Sequence, residues 1–240
     1  MTDQELTNIL FVDIETAAGY PSYKQMDERL KHHWDRKAGF LNNPRELTED
    51  ELYFDRAGIF AEFGQVLTIA VGYMTKSSEG QWGLRVKAFV DKNEAKVLND
   101  FKQLLETRFE TGALKLCAHN GREFDFPYIC RRMLIQEISI PKILDIGSMK
   151  PWEVPIIDTM DLWKFGDRKN FTSLDLLAAL FKIDTSKDDI DGSMVNKVFH
   201  LEDGLDRITE YCKRDIVVTV QLFLKLKSLP SIGKEYITIL

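Results

Sequence analysis

The sequence predicts an α/β fold in which helices flank a β-sheet. A short apolar, β-branched run at 9–16 is typical of a buried central strand. Two further strand-like runs at 66–74 and 84–90 are joined by a turn-rich segment, and this pattern predicts an antiparallel meander with the first strand. From residue 93 onward helical and strand-like patterns alternate, which gives the order β-β-β-α-β-α.

The segment at 19–62 interrupts the strand pattern between the first two predicted strands. Its residues are polar and spaced as in helices, and Thr48 has the residue type and position of a helix N-cap. We interpret 19–62 as a helical insertion into one domain that spans 1–240.

The middle of the chain predicts a helix, a strand and a second helix. Apolar residues at helical spacing predict a helix over 93–109 with Asn93 as its cap, and 114–120 has the pattern of a strand. The next helix begins near Phe124 and has Pro127 in its first turn, where proline is tolerated.

The last third predicts one more strand and three helical segments. A strand runs into a short helix over 156–165, and Asp158 is expected to cap that helix. A helix over 173–181 has Ser173 near its cap, and a long helix covers 208–229.

Composition predicts a globular cytoplasmic protein. Hydrophobic residues make up 44% and charged residues 29% of the 240 residues, so the composition does not favour disorder. No apolar run is long enough for a membrane span, and the acidic N-terminal segment does not resemble a signal peptide. Cys117, Cys130 and Cys212 lack metal-binding or disulfide spacing and are expected to be core thiols. Arg131 and Arg132 have the pattern of a solvated helix face, although contacts to phosphates are an alternative.

The formal net charge of −6 argues only weakly against a nucleic-acid partner. Clustered carboxylates bind divalent cations, and the bound cations reverse the local charge. The positions of the acids are therefore more informative than their number.

Four acids and one phenol are placed to converge. Asp13 and Glu15 are two residues apart at the end of the first strand, so both side chains point to the same face. Asp125 begins the helix that follows a buried strand, and Tyr211 and Asp215 are four residues apart on one face of the long C-terminal helix. Such pairs also occur by chance in a chain with 38 acids. Their order along the chain and their positions at the ends of predicted strands and helices are together specific to a functional site.

These residues resemble the three motifs of the DEDD superfamily of 3′–5′ exonucleases. DxE matches Asp13 and Glu15, N-x(2–3)-F-D matches Asn120, Phe124 and Asp125, and Y-x3-D matches Tyr211 and Asp215. Within the superfamily the chain is most similar to the proofreading exonuclease domains of family-B DNA polymerases, without the polymerase portion, as in stand-alone bacterial relatives. Glu210 stands where a sister subclass has histidine, so the chain resembles the tyrosine (DEDDy) subclass. The resemblance implies a ribonuclease H-like mixed β-sheet flanked by helices.

The resemblance also implies catalysis by two Mg²⁺ or Mn²⁺ ions about 3.5–4 Å apart. Asp13 would bridge both ions, Glu15 and Asp215 would complete the first site, and Asp125 would support the second. Ligands that are all oxygen atoms favour these cations over zinc. Tyr211 would orient the attacking water, because a phenol with a pKa near 10 is a poor base at neutral pH.

Substrate contacts are implied for Thr16, Asn120 and Phe124, which match positions that hold the last nucleotides of a single strand. Phe124 would stack a base, although an aromatic residue at a strand–helix turn is as often a core residue. Lys187 lies in KDDI, which resembles a family K-x2-hydrophobic motif that contacts the scissile phosphate. A lysine beside three acids is equally typical of a solvated loop.

The sequence thus predicts a metal-dependent 3′–5′ exonuclease that releases nucleoside 5′-monophosphates from single-stranded DNA ends. An RNA 3′-end exonuclease with the same site is one alternative, because no motif here reveals contacts to a 2′-hydroxyl. A non-catalytic nucleic-acid-binding module of the same fold is the other.

Overall fold

The structure is a computed structural model of the 240-residue chain. It describes residues 1–108, 113–150, 152–167, 171–185 and 190–240.

A mixed six-stranded sheet forms the centre of the fold, in the order β5-β4-β1-β2-β3-β6. β1 and β2 pair antiparallel, as do β2 and β3, whereas β4, β5 and β6 join the sheet in parallel pairs. The predicted meander and the predicted mixed sheet are both confirmed. The strands are β1 (Ile9–Ala18), β2 (Gly64–Lys76), β3 (Trp82–Val90), β4 (Lys115–Ala118), β5 (Ile156–Asp158) and β6 (Ile237–Ile239).

Nine α-helices surround this sheet in the described ranges. They are α1 (Asp3–Thr7), α2 (Glu28–Ala38), α3 (Glu49–Arg56), α4 (Glu94–Arg108), α5 (Asp125–Ile135), α6 (Thr159–Lys164), α7 (Leu174–Phe181), α8 (Val195–Glu202) and α9 (Leu205–Leu226). None of these helices combines the length and the hydropathy needed to cross a bilayer.

Helix caps explain most of the boundaries. Thr48 caps α3 and Ser173 caps α7 through their side-chain oxygens, as predicted. The long C-terminal helix begins at Leu205 and ends at Leu226, three residues earlier at each end than predicted. The sequence analysis also missed α1, which begins with a capping box between Thr2 and Glu5. α8 and β6 were missed as well.

The two faces of β1 belong to different cores. Leu10 packs on the face covered by α4 and α5, together with Phe101 and Ile129. Phe11 packs on the opposite face, where its ring lies 5.4 Å from that of Phe223 in α9. Because side chains alternate along a strand, Asp13 and Glu15 continue the face that α9 covers.

Residues of the 19–62 segment form a small core of their own. The Trp34 ring lies fully buried, with its centroid 5.2 Å from that of Tyr53. This core also includes Ala18 at the end of β1, so it adjoins the strand that carries the first two acids. That the segment is an insertion into a single domain stays a prediction.

Arg132 differs from its prediction as part of a solvated helix face. It is buried, and its Nη2 lies 2.6 Å from Glu94 Oε2. The same carboxylate accepts the backbone N–H of Val66 and a side-chain N–H of Gln136. The pair therefore connects α4, α5 and β2, and a buried charge of this kind requires such partners.

Candidate active site

The first two acids extend from β1 towards α9. Asp13 and Glu15 are half-buried, and a carboxylate oxygen of each lies within 4.8 Å of the other and of the Cys212 sulfur. The Cys212 thiol is fully buried and donates a hydrogen bond to Asp13 Oδ2 at 3.2 Å. The register of β1 and β2 shifts between Glu15 and Thr16, so the strand is irregular directly after the acids.

Asp125 reaches the same region from the other side of β1. It is the first residue of α5 and is only 4% exposed. Its Oδ1 accepts the backbone N–H of Ile14, at 3.2 Å, between the two acids of β1. This bond fixes the start of α5 against the strand end.

Tyr211 and Asp215 approach from α9, where both side chains are 8% exposed. Their spacing of one helical turn puts them on the face that packs against β1. The structure thus brings together all four predicted carboxylates and the predicted phenol.

Burial and mutual repulsion raise the pKa of three acids of the site, Asp13, Glu15 and Asp125. The pKa of Asp13 is raised well above its ordinary value by burial and by the charges of Asp215, Asp125 and Glu15. The pKa of Glu15 is raised for the same reasons. Burial raises the pKa of Asp125 to about 7, despite the hydrogen bond from Ile14.

Tyr211 and Cys212 stay protonated in this environment. Burial first, and then the charges of Asp215, Glu15 and Asp13, raises the pKa of Tyr211 far above its ordinary value. Burial and the charge of Asp13 likewise raise the pKa of the Cys212 thiol. In the metal-free protein both groups are therefore protonated hydrogen-bond donors at neutral pH.

The donor set fits hard divalent cations. Buried carboxylates that repel one another gain stability when a cation neutralises them. Cys212 contributes the sulfur atom of the group that it forms with Asp13 and Glu15, and its thiol donates to Asp13, so the other candidate ligand atoms are carboxylate oxygens. The residues present thus fit the divalent cations that the sequence resemblance implies.

The three residues predicted to contact substrate border the acids. Thr16 follows Glu15 in β1, and its hydroxyl interacts with the Tyr128 phenol. Asn120 is half-buried in a left-handed conformation with φ of 62°. Phe124 is half-buried against the core, and its ring centroid lies 5.5 Å from that of Tyr128. Lys187, the remaining predicted site residue, lies outside the described residues.

Asp158 holds the loop that carries Asn120. Its carboxylate caps α6 through the backbone N–H of Met160, as predicted, and it also accepts the backbone N–H groups of Asn120 and Arg122. The sequence analysis missed this second role, and it also missed the contact of Cys212 with Asp13. The sequence positions of the two partners give no direct signal for either, because 38 and 199 residues separate the pairs.

Residues 60–232 match a family model described as predicted 3′–5′ exonucleases related to the exonuclease domain of PolB. The chain belongs to this family. The match includes Asn120, Asp125, Tyr211 and Asp215 but begins after Asp13 and Glu15, so the position of the first motif rests on the geometry above. No curated protein matches the chain.

The fold of this PolB-exonuclease relative is also found in a solved polymerase. The family B DNA polymerase of the hyperthermophilic archaeon Pyrobaculum calidifontis superimposes with a TM-score of 0.56 at 16% identity, over 91% of this chain. The chain spans about a quarter (24%) of the length of that polymerase. The ribonuclease H-like α/β fold and the relation to PolB-type DEDD exonucleases, both predicted from motifs, are confirmed.

Proposed function

We propose that this protein is a 3′–5′ exonuclease of the DEDDy subclass that hydrolyses single-stranded DNA ends to nucleoside 5′-monophosphates with two Mg²⁺ or Mn²⁺ ions. One observation carries the proposal: carboxylates from β1, α5 and α9 lie close enough to raise one another's pKa, beside the buried Tyr211 phenol. The family match supports nuclease chemistry for this cluster.

Asp13, Glu15, Asp125 and Asp215 would hold the cations. When bound, divalent cations acidify water and neutralise charge that develops on a phosphate. Cys212 orients one oxygen of Asp13 through its hydrogen bond, and the Ile14 N–H does the same for Asp125. These two hydrogen bonds limit the positions of the Asp13 and Asp125 carboxylates before a cation binds. The carboxylates therefore have to move less when it does.

Tyr211 would orient the attacking water as a hydrogen-bonding phenol, since its raised pKa excludes a role as base. The water oxygen attacks phosphorus in line with the bond to the 3′-oxygen of the preceding nucleotide. That bond would break as the attacking water gives up a proton to solvent and the leaving 3′-oxygen takes one up, and a nucleoside 5′-monophosphate would be released. Thr16, Asn120 and Phe124 would hold the terminal nucleotides, and Lys187 would contact the scissile phosphate.

The test is the release of mononucleotides from end-labelled single-stranded DNA in Mg²⁺ or Mn²⁺, with RNA of the same sequence in parallel. We expect stepwise shortening from the 3′ end and its loss in Asp13→Asn. Asp203→Asn is the matched control, because this acid is 81% exposed and pairs with Lys92 on the surface. Faster release from RNA would show the RNA exonuclease instead. Absence of release from both polymers by folded, Mn²⁺-bound protein would show the non-catalytic module.

A further inference from the structure

The solvent-facing side of α2 is basic, although the protein as a whole has a formal net charge of −6. At about 100° per residue, Arg36 lies within about 20° of Arg29 around the helix axis, whereas the acids Glu28 and Asp35 lie about 100° or more away from Arg29. We call this side the basic face of α2. Its residues are all exposed: Arg29, His32, His33, Arg36 and Lys37.

The acids in and next to α2 already have partners in the fold. Asp27 caps the helix through its side chain. Glu28 Oε1 pairs with Lys31 Nζ at 2.6 Å, and Asp35 Oδ1 accepts a hydrogen bond from the Tyr23 hydroxyl at 2.8 Å. These carboxylates are therefore not the counter-ions of the basic face.

The two arginines of the basic face have no comparable role. Within the part of the chain that the structure describes, no carboxylate lies within ion-pair distance of Arg29 or Arg36. Arg29 lies in the first turn of α2, where the positive end of the helix dipole disfavours a cation. Helix stability does not explain its position, and both guanidinium groups are free to bind an external anion.

The spacing of the arginines fits a row of phosphates. Arg29 and Arg36 are about 10 Å apart along the helix axis, which corresponds to about three nucleotides at the 3.4 Å spacing of one helical strand. Guanidinium groups bind phosphate oxygens in bidentate pairs, and the imidazole N–H groups of His32 and His33 add further donors. A nucleic-acid backbone can therefore contact both arginines at once.

We propose that the basic face of α2 binds the phosphate backbone of the nucleic acid whose 3′ end is held at the acids. The proposal rests on the proposed function, because a nuclease substrate is the polyanion that it supplies. The location agrees with this, since Trp34 of α2 belongs to the small core that includes Ala18, three residues after Glu15. Contacts of this kind hold a strand without reading its sequence.

The experiment measures the Kd of a thymidine dinucleotide and of a thymidine oligomer in Ca²⁺, which fills metal sites without supporting efficient chemistry. An oligomer of about 30 nucleotides is about 100 Å long at 3.4 Å per nucleotide, so it can reach α2 while its 3′ end is bound. Each Kd is measured at about 50 mM and about 200 mM salt.

The variants are Arg29→Gln, Arg36→Gln and the lysine substitutions at both positions. Arg85→Gln is the matched control. Arg85 is an exposed arginine of β3 that likewise has no ion-pair partner among the described residues. Circular dichroism checks that each variant is folded.

We expect each glutamine variant to lose one phosphate contact. Such a contact contributes a slope of about −0.7 to log K against log salt for a single strand, so its loss should raise the oligomer Kd about 8-fold at 50 mM salt and about 3-fold at 200 mM. The lysine variants keep the charge and should lose less affinity. Arg85→Gln should bind the oligomer as wild type does, and all variants should bind the dinucleotide as wild type does.

Two results would overturn the proposal. One is that the glutamine variants bind the oligomer as tightly as wild type, and the other is a loss of affinity that is the same at both salt concentrations. If DNA affinity is unchanged while wild type binds polyglutamate and the glutamine variants do not, the basic face binds an acidic protein partner instead.

Failure of the proposed function would give a different result. Wild type would then release no mononucleotides in Mg²⁺. Salt-dependent binding of the oligomer in Ca²⁺ would still depend on Arg29 and Arg36, and that dependence would support the basic face of α2 as a nucleic-acid contact.

Discussion

Asp125→Asn is expected to stabilise the metal-free protein at alkaline pH while it reduces nuclease activity. The substitution preserves size, and the amide oxygen can still accept the backbone N–H of Ile14. It removes one negative charge from a buried cluster whose members raise one another's pKa. The variant therefore shows separately how the Asp125 charge affects the free energy of unfolding and how it affects nuclease activity.

The pH dependence follows from the pKa of Asp125, which burial raises from 3.8 to about 7. Between these two pH values the native state binds more protons than the unfolded state, so the free energy of unfolding falls as pH rises. At about 1.36 kcal/mol for each pH unit, this interval corresponds to a loss of roughly 4 kcal/mol. The asparagine cannot ionise, so the variant keeps that stability at pH 8. At pH 4 the two proteins should differ little.

Urea unfolding in a chelator at pH 5, 6, 7 and 8 measures this difference. Wild type should lose stability steadily over this range. Asp125→Asn should lose less, because Asp125 no longer titrates, but it should still lose some, because Asp13 and Glu15 do. Added Ca²⁺ binds the native state and should stabilise wild type at pH 8 more than the variant. Release of mononucleotides in Mg²⁺ should be strongly reduced in the variant.

Asp158→Asn is the matched control, because Asp158 is equally buried at 5% exposure but accepts three backbone N–H groups. An amide NH₂ would face one of these donors, so this variant should lose about 1–3 kcal/mol at every pH. Two results would refute the explanation by burial and repulsion. One is that Asp125→Asn is no more stable than wild type at pH 8. The other is that the difference in free energy of unfolding between the two proteins is as large at pH 5 as at pH 8.

Three further substitutions test other parts of the structure. Tyr211→Phe should lower kcat roughly 10–10³-fold with little change in melting temperature, since only the orienting hydroxyl is lost, and full activity would remove Tyr211 from the site. Glu94→Gln should lower the free energy of unfolding in urea by about 3–5 kcal/mol, because the buried Arg132 guanidinium loses its carboxylate; a change below 1 kcal/mol would contradict this. Lys187→Ala should lower single-turnover rates without changing strand affinity in Ca²⁺, and Lys187→Arg should restore only part of the rate. Equal rates in all three proteins would make Lys187 a loop residue.

The parts of the fold that the sequence predicted correctly depend on local patterns. Asp13 and Glu15 share a face because of the two-residue period of a strand, and Tyr211 and Asp215 share one because of the helical turn. Thr48 and Ser173 were recognised as caps because capping is a contact within three residues. Each of these inferences needs only a short window of sequence.

The parts that were missed depend on contacts between distant residues. β6 has three residues and exists because it pairs with β3, about 150 positions earlier, so it has no periodicity of its own. Arg132 lies in a basic pair typical of a solvated surface, but Glu94 reaches it from another helix. Cys212 meets Asp13 only because α9 packs across β1.

Asp125 and Asp158 show how the structure helps the sequence motif to distinguish a candidate functional acid from a structural one. Both are buried aspartates at or near the end of a strand and at the start of a helix. Asp158 receives three backbone N–H groups from two segments, so its charge is compensated by the fold itself. Asp125 receives the N–H of Ile14 and its own, yet burial still raises its pKa to about 7. A buried carboxylate that receives few hydrogen bonds and lies among like charges destabilises the folded protein. A bound cation removes that destabilisation.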